Sequence, residues 1–269
     1  MNSFIALIFA FVLKCLIMLK NLFFIGLLLS VCSCTSKKEI LYLQDVEQYA
    51  NKEITYPNSR IQPNDVLRIN VGALIPQSAI PYNKRGNGAG AMNIAVMQLD
   101  GYLVAETLTI NFPILGTLSV AGYSTQEFAE FLRRKLEDEG HLKNPNVDVR
   151  LLNAKVTVIG EVNEPGTFNF TEQNITLLQA LGYAGDLTIN GRREDILVMR
   201  EEQGVREITH IDLTSSEWLE GPYNFIKPND VIVVNPNNPK VKTAGFIPSL
   251  PALLGVMTVS LSLLILLTN

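Results

Sequence analysis

The tightest constraint on what this chain can fold into lies at residues 156–170, Val-Thr-Val-Ile-Gly-Glu-Val-Asn-Glu-Pro-Gly-Thr-Phe-Asn-Phe. Val156, Val158 and Val162 recur among β-branched and polar neighbours at the two-residue period of a half-buried strand, and Thr167 to Phe170 reads as its return. Between them stands Asn163-Glu164-Pro165-Gly166. Proline presets φ near about −65° and the glycine after it accepts the positive φ of a type II turn. A β-hairpin is predicted, with Gly166 in the left-handed region.

The flanking sequence supplies further elements. Ile61-Gln62-Pro63-Asn64-Asp65-Val66 returns as Ile226-Lys227-Pro228-Asn229-Asp230-Val231, each a Pro-Asn-Asp turn launching an alternating strand. The two copies mark equivalent positions at the start of one module and the end of another. Ser124-Thr125-Gln126-Glu127 spells a capping box, and the helix it opens runs to about Glu139 with Phe128, Phe131, Leu132 and Leu136 on one face before Gly140 stops it. Asn174 is the expected cap of a second helix bearing Leu177, Leu178 and Leu181, closed at Gly185. A second hairpin is expected about Gln203-Gly204, and Trp218 reads as core. Residues 72–101 form a long loop. Its Gly86-Asn87-Gly88-Ala89-Gly90 is no phosphate cradle, since no Gly-Lys-Ser/Thr follows.

Both ends are far more apolar than this body. Residues 1–33 are almost continuously apolar, and a start at Met18 gives a compact signal peptide with Lys20 as its charged region. Val31-Cys32-Ser33-Cys34 resembles a lipobox, which makes Cys34 the lipidated first residue; Cys32 is the weaker choice because Val31 precedes it. A plain transmembrane anchor with bystander cysteines is the alternative. Residues 34–59 are polar and read as a lipid-anchored tether. Residues 237–245 are a linker to a charge-free run at 246–267, about 33 Å long as a helix and so sufficient for a hydrocarbon core of ~30 Å. In that expected transmembrane helix Gly255, Thr258 and Ser262 share a stripe suited to helix contact, with Ser260 opposite.

Val-x-Val-x-Gly-Glu-Val-x-x-Pro-Gly, with Gly160, Glu161, Pro165 and Gly166 as its structural motif, resembles the opening of a soluble-ligand-binding β-grasp domain. Phe112-Pro113-Ile114-Leu115-Gly116, Val120-Ala121-Gly122-Tyr123-Ser124, the capped helix and Asn144-Pro145-Asn146-Val147-Asp148-Val149 resemble the polysaccharide export domain in its usual order. Together they resemble the outer-membrane polysaccharide export protein family over most of the body. The family has an acidic-glycine turn where this chain has Ala105-Glu106-Thr107-Leu108. The resemblance implies an α+β chain of mixed small β-sheet modules with packed helices, plus the C-terminal transmembrane helix. It places an export domain at 60–151 and a β-grasp domain at 152–236.

A net charge of −4 argues against a nucleic-acid partner. No nucleophile with its base and no metal cluster is visible. His141 and His210 each lack a second ligand at suitable spacing, and strand geometry does not pair Glu161 with Glu164 as acid and base. No catalytic residue, metal or cofactor is expected. The family implies an outer-membrane lipoprotein with its soluble body in the periplasm, assembled as a homo-oligomeric ring that passes capsular polysaccharide or exopolysaccharide. Its implied partner is an inner-membrane polysaccharide co-polymerase or chain-length regulator. The alternative is a periplasmic glycan-binding or scaffold lipoprotein, with an enzyme third.

Overall fold

The computed structural model describes residues 40–49, 51–84, 98–202, 204–243, 254–259, 262 and 266. Cys34, the signal region and the glycine-rich run from Gly86 to Gly90 lie outside the described residues. The chain divides into two compact units, Met1–Leu41 and Tyr42–Asn269, and every described sheet belongs to the second.

That unit holds two hydrophobic cores. Around the first stand β1 (Val66–Gly72), β2 (Tyr102–Leu103), β3 (Thr109–Phe112), β4 (Gly116–Ser119) and β5 (Asn146–Leu151). β1 runs antiparallel to β2 on one side and β5 on the other, while β3 and β4 make a separate hairpin. Alternation along β1 turns Leu67, Ile69 and Val71 inward and leaves Arg68 and Asn70 outside. A short helical turn, α1 (Pro76–Ala79), follows β1, and the Asn83 side chain bonds both backbone groups of Val71, closing that strand's end.

α2 (Thr125–Asp138) covers the inner face. Its capping box forms as the sequence requires: Ser124 Oγ accepts from the Glu127 amide, and the Glu127 carboxylate accepts from the Ser124 amide. Phe128, Leu132 and Leu136 are fully buried, each contributing about 1.5–3 kcal/mol. Phe131 is only partly buried, packed against the rings of Tyr123 and Phe128. Gly140, at φ +76°, ends the helix region. The segment Ala105 to Leu108 does turn the chain, with the Leu108 amide on the Ala105 carbonyl and Leu108 itself at φ +54°.

The second core is built on β6 (Lys155–Gly160), β7 (Gly166–Asn169), β8 (Ile175–Thr176), α3 (Leu177–Tyr183), β9 (Gly191–Glu202), β10 (Val205–Ile211), β11 (Phe225–Ile226) and β12 (Val231–Pro236). Five strands stand in the order β10-β9-β12-β6-β7. Two hairpins thus flank the closing strand β12, which runs parallel to β6 and antiparallel to β9. Val156, Val158, Ile196, Val198, Ile232 and Val234 fill the centre, and α3 adds Leu177, Ala180 and Leu181. Trp218 is buried here, its indole N–H on the Ser215 carbonyl.

Three expectations need correction. Gly166 does not take a positive φ; it opens β7, paired with Val158. The left-handed glycine is Gly160, at φ +96°, where an added Cβ would stand 2.1 Å from the Val234 carbonyl oxygen. The hairpin loop is therefore longer than a four-residue turn, because β6 leaves β7 at Val158 and stays bonded to β12 through Glu161 N and Val234 O. Helix α3 is capped by Thr176, which forms a capping box with Gln179, and not by Asn174; pairing of β8 with β11 keeps the chain extended through Thr176. Finally, within the expected 34–59 tether, described residues from Tyr42 onward pack against the body. Leu43 and Gln44 amides bond the Leu213 and Thr214 carbonyls, Tyr42 Oη donates to Asp186, and the Tyr56 and Phe225 rings lie 5.3 Å apart.

The apolar run at 246–267 is described at 254–259, 262 and 266, all helical. Among the described residues no helix is long and apolar enough to cross a membrane.

Candidate ligand cleft and motif loop

The twin Pro-Asn-Asp turns are built alike. Asn64 and Asn229 sit at φ +69° and +71°, and Asp65 and Asp230 each accept from the backbone N–H three residues earlier, at 2.8 and 2.9 Å. They differ in what neutralises the carboxylate. Asp230 receives the Arg200 fork, with Nη2 to Oδ2 at 2.7 Å and both side chains almost fully buried. The same guanidinium donates to the Phe225 carbonyl and stands over the Tyr223 ring. Burial pushes the Asp230 carboxyl above its ordinary value while Arg200 draws it back. Asp65 accepts from the Gln62 amide and has no paired cation among the described residues, and burial pushes its carboxyl up to about 6.

The motif residues Gly160, Glu161, Pro165 and Gly166 come together in one loop, glued to the end of α3. Asn163 Nδ2 donates to the Gly185 and Asp186 carbonyls, and the Glu164 amide donates to the Ala184 carbonyl. Gly185, at φ +70°, lets this approach occur: a Cβ there would stand 3.2 Å from that of Asn163. Glu161 Oε2 accepts from Thr188 and its Oε1 pairs with Lys240 Nζ at 2.6 Å. The Lys240 ammonium holds the Glu161 carboxyl below its usual range. Glu161 thus ties the helical turn Asn238–Thr243 to the motif, at the point where the chain leaves this core for its apolar end. The partners of the Glu161 carboxylate among the described residues are Thr188 and Lys240, and Glu164 is not one of them.

Gly255, Thr258 and Ser262 fall on helical positions. Thr258 Oγ1 donates to the Gly255 carbonyl and Ser262 Oγ to the Thr258 carbonyl, so both hydroxyl protons are satisfied within the helix. His141 and His210 remain apart, the first on Tyr82 and Glu139, the second on Asp195. Among the described residues no group of three metal-ligating side chains converges.

A concavity beside β5 was not legible in the sequence. It measures about 880 Å³ and runs along β5, between the 57–62 segment, the N-terminal half of α2 and residues 170–174. Among the described residues β5 has a strand neighbour on one side only, and its other edge borders the cleft. Arg68, Asp148 and Arg150 project from the sheet, Glu130 and Arg133 from the helix, and Asp65 from the first twin turn. Strand alternation leaves Arg68 and Arg150 on the outside. Their meeting depends on the β1–β5 register, which the 73 residues from Ala73 to Pro145 conceal.

Comparison with known proteins adds a direct finding. Residues 54–152 match the polysaccharide biosynthesis/export protein family, and residues 155–209 match the SLBB domain. The chain is 28% identical over 200 residues to the EPS I polysaccharide export outer membrane protein EpsA of Ralstonia solanacearum, covering 71% of this chain and 51% of that one. It is 33% identical over 106 residues to the protein of the same name in Ralstonia nicotianae, covering 38% and 27% respectively. The chain spans about half the length of the first of these relatives.

Proposed function

We propose, because the chain belongs to the outer-membrane polysaccharide export protein family, that it is a lipoprotein subunit of an oligomeric channel exporting capsular polysaccharide or exopolysaccharide from the periplasm. The observation that carries this reading is the uninterrupted order of the two matched domains, each with its own core, alongside relatives named as export outer membrane proteins. The strand order β10-β9-β12-β6-β7, with its parallel central pair, supports a β-grasp unit at 152–236. The export domain would occupy 60–151.

In this reading Cys34 is acylated, the soluble body stands in the periplasm, and residues 246–267 cross the outer membrane. Gly255, Thr258 and Ser262 would face neighbouring helices of a homo-oligomeric ring, with an inner-membrane co-polymerase or chain-length regulator delivering polymer to it. Transport of this kind needs a polar, weakly binding duct and no catalytic residue. We therefore read the chain as no enzyme, without a cofactor.

The test is an in-frame deletion of the gene, complemented in trans. Loss of polymer at the cell surface with accumulation in the periplasm is expected, and restoration by the wild-type gene. Unchanged surface polymer in the deletion strain would refute export. A periplasmic glycan-binding or scaffold lipoprotein is the second reading, favoured by the match of residues 155–209 to the SLBB domain.

A further inference from the structure

The outer face of the β1–β5 pair carries two arginines in direct opposition. The antiparallel register sets Arg68 against Arg150 and Asn70 against Asp148. Residues so placed hold their Cβ atoms about 4.5–5.5 Å apart, and like charges there repel. The fold relieves this repulsion on one side only. Arg150 Nε donates to Asp148 at 3.1 Å, with 73% of the arginine side chain exposed, while Arg68 has no ion-pair partner among the described residues.

The other charges of the cleft are engaged elsewhere. Arg133 bonds Glu130 and Glu137, and Arg60 bonds Glu127 and the Gly122 carbonyl. On the acidic side, Asp65 is buried and turned to the Gln62 amide, and Glu172 accepts from the Thr171 amide. What the cleft leaves without an ion pair among the described residues is therefore Arg68, with Arg150 and its Asp148 partner beside it. Planar guanidinium forks match carboxylates in two-point contact, which an ammonium would not. Beside them the open edge of β5, with Asn146 and Gln126, offers donors and acceptors for hydroxyl groups. The cleft volume falls within the ~300–1,000 Å³ typical of small-ligand sites.

We infer that this cleft binds a carboxylate-bearing glycan segment, with a uronate carboxylate seated on Arg68 and Arg150. The inference takes the glycan class from the export reading and adds to it the acidic character of the polymer and the place of contact. A neutral glycan would bring no counter-charge to Arg68.

The full-length, detergent-solubilised protein serves for the test, titrated calorimetrically with hexagalacturonate and, separately, with maltohexaose. Hexagalacturonate should bind in a salt-sensitive manner, and maltohexaose at least tenfold more weakly. Arg68→Gln and Arg150→Gln should each weaken the oligouronate roughly three- to tenfold without moving the maltohexaose signal. Because each removes a repulsion, neither variant should lower the melting temperature by more than a degree or two, which separates lost binding from lost fold. Equal binding of the two hexasaccharides, retention of the preference in both variants, or displacement of hexagalacturonate by sulfate at equal concentration would overturn the inference. The export reading is tested apart from this: oligouronate preference absent in a protein that still restores surface polymer removes the site alone, and preference present in a protein that restores none removes export alone.

Discussion

Gly160 and Gly166 show how the same residue type can serve two purposes six positions apart. At Gly160 a Cβ would collide with the Val234 carbonyl at a φ of +96°, so Gly160→Ala has to separate β6 from β12. A loss of roughly 1–3 kcal/mol is expected, the scale of a strained backbone position. At Gly166 the nearest atom to a built Cβ is the Phe168 ring at 3.6 Å, and Gly166→Ala should stay within about 0.5 kcal/mol. Thermal denaturation of the two variants decides the matter, and a more harmful Gly166→Ala would reverse the assignment. The sequence pointed to the wrong glycine because Pro165-Gly166 has local turn chemistry, whereas the demand on Gly160 comes from Val234 of β12, 74 residues further along the chain.

Asp65 gives a second test at this scale. Burial raises its carboxyl from 3.8 to about 6, so the folded state favours the protonated form. Its contribution is complete below pH 3.8 and is lost as the pH rises through 6, a difference of roughly 2–3 kcal/mol. Asp65→Asn keeps an acceptor for the Gln62 amide and cannot ionise. Subtracting its stability curve from that of the wild type cancels the other carboxylates. The wild type should lose stability relative to the variant between pH 4 and pH 6.5, approximately the window those values define; a flat difference would place Asp65 in water.

Among the elements, α2 was readable in full because a capping box, an apolar stripe and a terminal glycine agree within one stretch. Ser124→Ala should cost about 1 kcal/mol, measured by chemical denaturation, and more where Glu127 also releases Arg60. Helix α3 had the same signature, Thr176-Leu177-Leu178-Gln179, hidden behind the nearer capping candidate Asn174. Residues 42–60 escaped recognition for a different reason. Their composition is polar, and a few apolar groups spaced without period, Tyr42, Leu43 and Tyr56, hold the segment on the second core. Docked in this way, with Lys52 paired to Glu220, the segment should resist trypsin. Leu43→Ala combined with Tyr56→Ala should open cleavage at Lys52 and Arg60. Rapid cutting of the wild type at Lys52 would show the segment to be free.

At the scale of the whole molecule, two cores could be inferred from the repeated Pro-Asn-Asp phrase and from domain-length patterning. The cleft beside β5 could not, since it depends on strand register and on where residues 57–62 and 170–174 come to rest. The apolar ends carry the functional claim furthest. With Cys34 acylated as proposed, a second anchor would be superfluous, and a helix whose hydroxyls at Thr258 and Ser262 are bonded internally is compatible with lipid or with a neighbouring helix. The direct measurement is surface and periplasmic polysaccharide in a strain whose only copy lacks residues 246–269, with the truncated protein confirmed in the outer-membrane fraction. Export through this chain predicts surface polymer reduced to the level of the gene deletion and polymer retained in the periplasm. Wild-type surface polymer from the truncated protein would contradict it.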